Sequence, residues 1–556
     1  MLIGVDNARI MMTLKRRERR NDEPVAAKTR LGWTIFGGLR ARQTVEHVMI
    51  HICDCTGGQN LHDLVHDYFA VENVGNNGPS PPESAEDSRA RRILQDTTKR
   101  TISGRFETGL LWKSDKIEFP NSYPMAERRL KCLERRLRSD TELEKKVHEQ
   151  IVEYVKRGYA RKISEDELIS SNPSRVWYLP LGIVQNPRKP HKIRVIWDAA
   201  AAVQGISLNS ELLKGPDLLT PLLTVLCRFR QREYAVSGDI RQMFHQILIK
   251  KEDRQSQRFL WRFDPAVAPD IYVMDVATFG ATCSPCSAQY AKNVNEREFA
   301  GTHPLAAKTI IENTYVDDFL ASTDTINEAV KLAEDVRTVH SMAGFEIRNW
   351  QSNSQQILRR VGGESPHKVK SFSIEKTTAE RILGMMWIPA EDLFVFGAQF
   401  RDDLQTLLTG EVVPTKRQVL RVVMSLFDPL GIISTYTIHG KILIQDVWRS
   451  AIGWDDPLND RDFRGWQRWV KLVPELANVR VPRCYFPNYN PSSYESIQLH
   501  VFSDASELAY GAVAYFRIVD RGVPGCALIS AKSKVTPLKP QSIPRNELNA
   551  AVIAVR

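Results

Sequence analysis

The chain has 556 residues, too many for a single hydrophobic core, so it should divide into three or four domains. Its 42% hydrophobic content excludes disorder throughout. A net charge of +10, with 66 acidic residues interspersed among 76 basic ones, fits a polyanionic partner without demanding one.

Taken from its start, "MLIGVDN" begins mid-pattern, like a buried strand, and residues 1–45 read as short strands and turns ending in "TRLGWTIFGG". At the other end "RNELNAAVIAVR" stops inside a helical pattern, so the chain is expected to be a segment of something longer. His47, His51, Cys53, Cys55, His62 and His66 crowd the next stretch. Their spacing matches no zinc-finger pattern, since Cys-x-Cys puts both thiols on an alternating strand, so they read as linker residues. "NNGPSPPESAEDS" (Asn76 to Ser88) is a linker by composition. A basic, amphipathic helical region follows, with Leu130, Leu133, Leu137, Leu143, Val147, Ile151 and Val155 on recurring faces. Its charges read as a solvated face.

"VWYLPLGIVQNPRKPHKIRVIWDAAA" predicts two strands around a Pro-rich turn. A helix opened by Gly215-Pro216, with Pro in the first turn, should then lead to a strand entering "SGDI". Beyond Asp318, "INEAVKLAEDVRTVHSMAG" predicts a helix capped by Gly344. Strands and helices follow one another without a regular βαβ repeat, which argues for an α+β architecture. No apolar run reaches 18 residues and no signal peptide opens the chain, which argues against membrane spanning. Eight cysteines without a pairing framework favour free thiols in a reducing compartment.

Two stretches carry chemistry. In "AVSGDIRQMFHQIL" an apolar strand delivers Asp239. In "NTYVDDFLAS", Tyr315, Val316, Phe319 and Leu320 suit a half-buried sheet, whereas Asp317 and Asp318 at its centre do not. A buried carboxylate is costly unless paired or metal-bound, while a hairpin tip accommodates Asp readily. Successive strand residues face opposite ways, so Asp317 and Asp318 serve one site only if the chain turns there, which merges the two readings. Carboxylates from separate strands are what two-metal phosphoryl transfer needs, and Mg2+ suits them because it takes one or two carboxylates plus substrate phosphates.

In these residues the chain resembles the reverse transcriptases of LTR retrotransposons, specifically the BEL/Pao group. Tyr315-Val316-Asp317-Asp318 matches the catalytic hairpin and "SGDIRQMFHQI" the first catalytic strand. "FGATCSPCSAQYA" (Phe279 to Ala291) matches the segment beside template and nucleotide. "KIRVIWDAA" looks like the fingers hairpin and "RILGMMW" (Arg381 to Trp387) the primer-gripping region. The resemblance implies an α+β right hand of fingers, palm and thumb, acting as an RNA-directed DNA polymerase. It implies two Mg2+ ions, with Mn2+ as a substitute, held by Asp239, Asp317 and Asp318, the last as a weaker member. The partners implied are an RNA template, a DNA primer, their hybrid and dNTPs, within a cytoplasmic virus-like particle.

Phe244 falls where the family keeps an aromatic beneath the sugar of the incoming nucleotide; without Asp239 five residues earlier it would read as a core aromatic. Arg194 matches the triphosphate-binding arginine, and its planar fork suits phosphate oxygens. Lys192 shares that strand face, either for substrate or simply solvated. Gly280, Ser284, Pro285 and Tyr315 complete the substrate-binding set, with Ser284-Pro285 read as an N-cap and first-turn Pro. Phe279 stands where the retroviral pattern has Gln, which puts a hydrogen-bonding role there in doubt. Cys283 and Cys286 have C-x-x-C spacing but belong to this segment, so they read as packing.

The flanks fit the same group. "HVFSDASELAYGAVAY" resembles the first strands of ribonuclease H, with Asp504 as a metal ligand and Glu547 as the second. Two further aspartates of that family are not in this sequence, so hybrid degradation is expected to be absent. "LIGVDN" and "TRLGWTIFG" look like the tail of a retropepsin-type protease. No Asp-Ser/Thr-Gly motif precedes them and Asp6 has a different context, so proteolysis is expected to be absent. The expected domains are a protease remnant (1–45), a linker region (46–125, disordered over 76–88), and reverse transcriptase fingers and palm (126–390). A thumb or connection segment (391–490, including "SLFDPLGIIS") and half of a ribonuclease H-like domain (495–556) complete them. The rival readings are a decayed fragment that binds nucleic acid without catalysis and a host protein using the fold as an interaction scaffold.

Overall fold

A computed structural model describes residues 15–17, 25–29, 32–36, 84–170, 172–186, 189–363, 370–371, 383–398, 406–487, 494–520 and 522–555. Asp6, the histidines and cysteines of 47–66, most of the 76–88 linker and Arg381 lie outside them. Near the start, strands Lys15–Arg17, Val25–Thr29 and Gly32–Phe36 form a small antiparallel sheet.

The basic helical region is two helices, Tyr123–Arg138 and Thr141–Lys156. The break is local chemistry: the Asp140 side chain accepts from the Leu143 amide at 2.9 Å, starting a second helix. Leu130, Leu133, Leu137, Leu143, Val147 and Ile151 are buried as expected, but Val155 is 42% exposed and Tyr154 is buried in its place. A 3.6-residue period favours a step of three at that point over a step of four. The helix Ala85–Thr97 and the segment through Ile117, expected in the linker, pack into the same core through Ala90, Leu94, Phe106, Leu110 and Trp112.

The hairpin Leu181–Asn186/Lys189–Trp197 forms as predicted, with Leu181 opposite Trp197. The helix expected from Pro216 does not; it runs Leu222–Phe229 with Pro221 at its N-cap. Gly215 instead has φ +82° and lies so close to Cys286 that a Cβ would sit 2.6 Å from its Sγ.

The central sheet is antiparallel, in the order Thr314–Tyr315, Asp318–Thr323, Tyr234–Ile240, Ile347–Ser352. Period two divides its apolar residues. Val236, Phe319 and Ala321 pack on the helix Ile326–Ser341, while Ala235 and Leu320 face the helix Leu222–Phe229 and a second core. Burial on both faces explains the nearly unbroken apolar run around the aspartates. A Thr325/Glu328 capping box starts the helix Ile326–Ser341, and Gly344 (φ +74°) turns the chain after it.

The second core joins strands Leu383–Ile388, Leu393–Ala398 and Arg480–Pro482 to helices Lys416–Met424, Ser434–Arg449 and Asp460–Val470. Beside it lies an antiparallel meander of Tyr494–Ala505, Ala509–Asp520 and Val523–Val535, against which the helix Ile543–Val555 packs. Two buried arginines tie these parts together. Arg230 donates to the carbonyls of Arg483, Leu528 and Ile529 at 3.0, 2.7 and 3.1 Å. Arg483 forks onto Asp392 at 2.6 and 2.8 Å and donates to the Phe229, Arg232 and Glu233 carbonyls. No described helix is long and apolar enough to cross a membrane.

Candidate active site

Asp239 and Asp318 stand directly opposite each other on neighbouring antiparallel strands. Tyr315 pairs with Asp318, so Val316 and Asp317 form the tip of a two-residue hairpin. The Ile240 amide donates to the Asp317 carbonyl at 2.8 Å, which draws that tip against the strand carrying Asp239. Asp317 therefore lies in the turn and Asp318 opens the strand that follows it. Val316 has φ +55°, where a β-branched residue is strained. That strain is held by Gln289, which is buried on the helix Ser284–Glu298 and donates from Nε2 to the Val316 carbonyl at 2.7 Å. Sequence reading missed Gln289. Its only signal was a long amide amid small apolar residues on that helix.

Two more residues were missed. Asn349 donates from Nδ2 to Asp239 Oδ1 at 2.5 Å, and Arg348 Nε lies 3.6 Å from Oδ2. Arg194, on the hairpin strand, has its guanidinium shifted below the usual arginine range by desolvation, with attraction to Asp317 opposing the shift. The hairpin thus carries one cation to the carboxylate cluster. Lys192 lies on the same strand, and its side chain is outside the described residues.

Phe244 is half-buried, its ring 4.9 Å from that of Phe279 and tilted by 42°. Phe244 packs against the first core, so its core and substrate readings describe one residue. The Phe279 side chain makes ring contacts, and its carbonyl accepts from the Trp197 amide at 3.1 Å. Tyr315 is half-buried against the second core.

Three expected substrate residues have internal roles. Gly280 (φ +127°) abuts the Trp197 carbonyl, where a Cβ would lie 1.9 Å from the oxygen. The helix cap is Cys283 and not Ser284, whose buried hydroxyl donates to the Thr278 carbonyl at 2.8 Å. Here a tertiary acceptor wins over the local amides. Pro285 occupies the first turn as predicted. Burial pushes the Cys283 thiol up to about 11 and that of Cys286 up to about 12, and Cys286 donates to the Pro216 carbonyl at 3.3 Å. Inert, protonated thiols agree with packing.

Like charges directly opposed across a ladder destabilise it, so the Asp239/Asp318 pair calls for cations. Among the described residues no group of three or more His, Cys, Asp or Glu side chains is placed to hold a metal ion. Asp504, on the first strand of the C-terminal meander, and Glu547, on the helix Ile543–Val555, are both exposed. Asn546, beside Glu547, donates to the Ser506 carbonyl at 3.2 Å, which ties the helix to the strand end bearing Asp504.

Residues 192–353 match the model of the family described as reverse transcriptase (RNA-dependent DNA polymerase), and residues 415–556 match the Pao retrotransposon-like RNaseH-like domain. The chain is a Pao/BEL-type retrotransposon Pol sequence. It combines a reverse transcriptase domain with an RNaseH-like one on a mixed α/β architecture. Reverse transcriptase domains generally use divalent metals. No curated protein matches the chain. Solved structures to which it is similar include the foamy viral protease-reverse transcriptase dRH in complex with ds DNA, at 14% identity and a TM-score of 0.45, covering 88% of this chain and 71% of that one. Another is the foamy viral protease-reverse transcriptase in complex with RNA/DNA hybrid, at 13% and 0.44, covering 98% of this chain and 65% of that one.

Proposed function

We propose that this Pol chain is an RNA-directed DNA polymerase, extending a DNA primer on an RNA template with deoxynucleotides. One observation carries the reading: Asp239 faces Asp318 across a ladder, with Asp317 in the adjoining turn and Arg194 in electrostatic reach. The central sheet is then the palm, the Leu181–Trp197 hairpin part of the fingers, and the second core the thumb and connection.

Asp239, Asp317 and Asp318 would hold two Mg2+ ions, or Mn2+, which supply an activated primer hydroxyl and neutralise charge developing at the α-phosphate. Arg194 binds the triphosphate through its planar fork. The Phe244 ring, backed by Phe279, lies beneath the sugar and excludes a 2′-hydroxyl, the group that separates RNA from DNA precursors. Gln289 keeps the hairpin tip from relaxing, so the Asp317 and Asp318 carboxylates need no rearrangement on binding.

Primer extension on an RNA template with Mg2+ tests this reading, comparing the chain with Asp317→Asn. The wild type should incorporate dNTPs and the variant should not. Equal incorporation by both, or none by either, sinks it.

A further inference from the structure

The strand Ile347–Ser352 pairs with Tyr234–Ile240 in two registers. Ile347 faces Ile240 and Arg348 faces Asp239, but Gln351 faces Ser237. Asn349 and Trp350 therefore oppose the single residue Gly238, which is a β-bulge. A regular strand would turn the residue after Arg348 to the opposite face. Here Asn349 takes φ +51°, a left-handed conformation that Asn tolerates better than most residues.

The two bulged residues divide the work. Trp350 is buried in the core beneath the sheet. Asn349 sends its amide to Asp239 Oδ1 at 2.5 Å, while Arg348 Nε stands 3.6 Å from Oδ2. The bulge also depends on glycine: a Cβ on Gly238 would lie 2.9 Å from Ile347 Cγ1 and 3.3 Å from Trp350 Cε3. Asp239 arrives on one strand, and the bulge in the next strand points a donor at it.

We propose that Asn349 is a positioning residue, presented by the bulge to fix the Asp239 carboxylate in the rotamer that receives the ion. The inference rests on the polymerase reading of the site. An amide donor occupies one lone pair of Oδ1 without neutralising the carboxylate, so the remaining lone pairs stay available and oriented. Partners of this kind typically change metal affinity by about 10–100-fold when removed.

Mn2+ binding to the full chain without nucleic acid, measured by electron paramagnetic resonance of the free ion, tests it independently of turnover. Asn349→Gly keeps the left-handed backbone and removes only the amide. Its Mn2+ affinity should fall about tenfold with the thermal midpoint within a few degrees of wild type, and its primer extension should need correspondingly more Mg2+. Wild-type affinity in Asn349→Gly, with binding lost in Asp239→Asn, overturns the inference and leaves the polymerase site standing. A fall in thermal midpoint with unchanged Mn2+ affinity also overturns it, as the mark of a merely structural bulge. Wild-type affinity in Asp239→Asn overturns both readings together.

Discussion

Replacing Gly280 with Ala tests how the fingers hairpin is held on the site. Gly280 has φ +127°, outside the left-handed well, and its missing Cβ would stand 1.9 Å from the Trp197 carbonyl oxygen and 3.0 Å from the carbonyl carbon. Carbon and oxygen approach to about 3.3 Å, so roughly 1.4 Å of movement is required of one backbone or the other. Neither is free to move. The Trp197 amide donates to the Phe279 carbonyl at 3.1 Å, and Asn209 Nδ2 donates to the Gly280 carbonyl at 2.9 Å. The dihedral costs about 1–3 kcal/mol and the overpacking about 1–3 kcal/mol more. Gly158 is the control, with φ +67° and nothing within 4 Å of its Cβ position, so Ala there carries only the dihedral cost of about 1–2 kcal/mol. Differential scanning fluorimetry should show Gly280→Ala lowering the thermal midpoint by several degrees more than Gly158→Ala, at about 2–4 °C per kcal/mol. The same variant should raise the KM for dNTPs, because Trp197 is three residues from Arg194. Equal thermal shifts in the two variants would refute the packing argument.

Phe244→Ala should admit ribonucleotides, read as the ratio of ribonucleotide to deoxynucleotide incorporation; an unchanged ratio removes the ring from that role. Gln289→Met deletes the donor to the Val316 carbonyl, a loss of about 1–3 kcal/mol for a buried acceptor left unpaired. It should slow primer extension more than it lowers the thermal midpoint, and unchanged kcat would count against the brace. His245 is fully buried among Trp197, Tyr154, Tyr159 and Phe279, and burial, with Arg105 adding, takes its imidazole down to about 3. The unfolded chain protonates His near 6.5, so the stability owed to the neutral ring is complete above that pH and is lost as pH falls towards 3. At pH 5 the loss is about 2 kcal/mol from this group, and His245→Phe should abolish it. Parallel stability curves for both proteins between pH 7.5 and 5 would contradict the assignment.

The amino-acid sequence alone determined the parts of the site that lie close along the chain. An Asp pair cannot persist inside an apolar strand, so a turn at Asp317 followed from local chemistry, and the hairpin has it. Period two on the fingers strand put Arg194 on the face where it meets Asp317. The same local rules misplaced elements whose signals compete. The helix expected at Pro216 opens instead after Pro221, while Gly215 packs against Cys286 from a distant part of the chain. Ser284 reads as a cap until its hydroxyl is found donating to the Thr278 carbonyl. What tertiary structure alone decided is how the carboxylates are held. Gln289 is 27 positions from the turn it braces, and Asn349 is 110 from the aspartate it meets. Neither contact leaves a period or spacing in the sequence, because each depends on where a helix or a bulged strand comes to lie once three cores have packed.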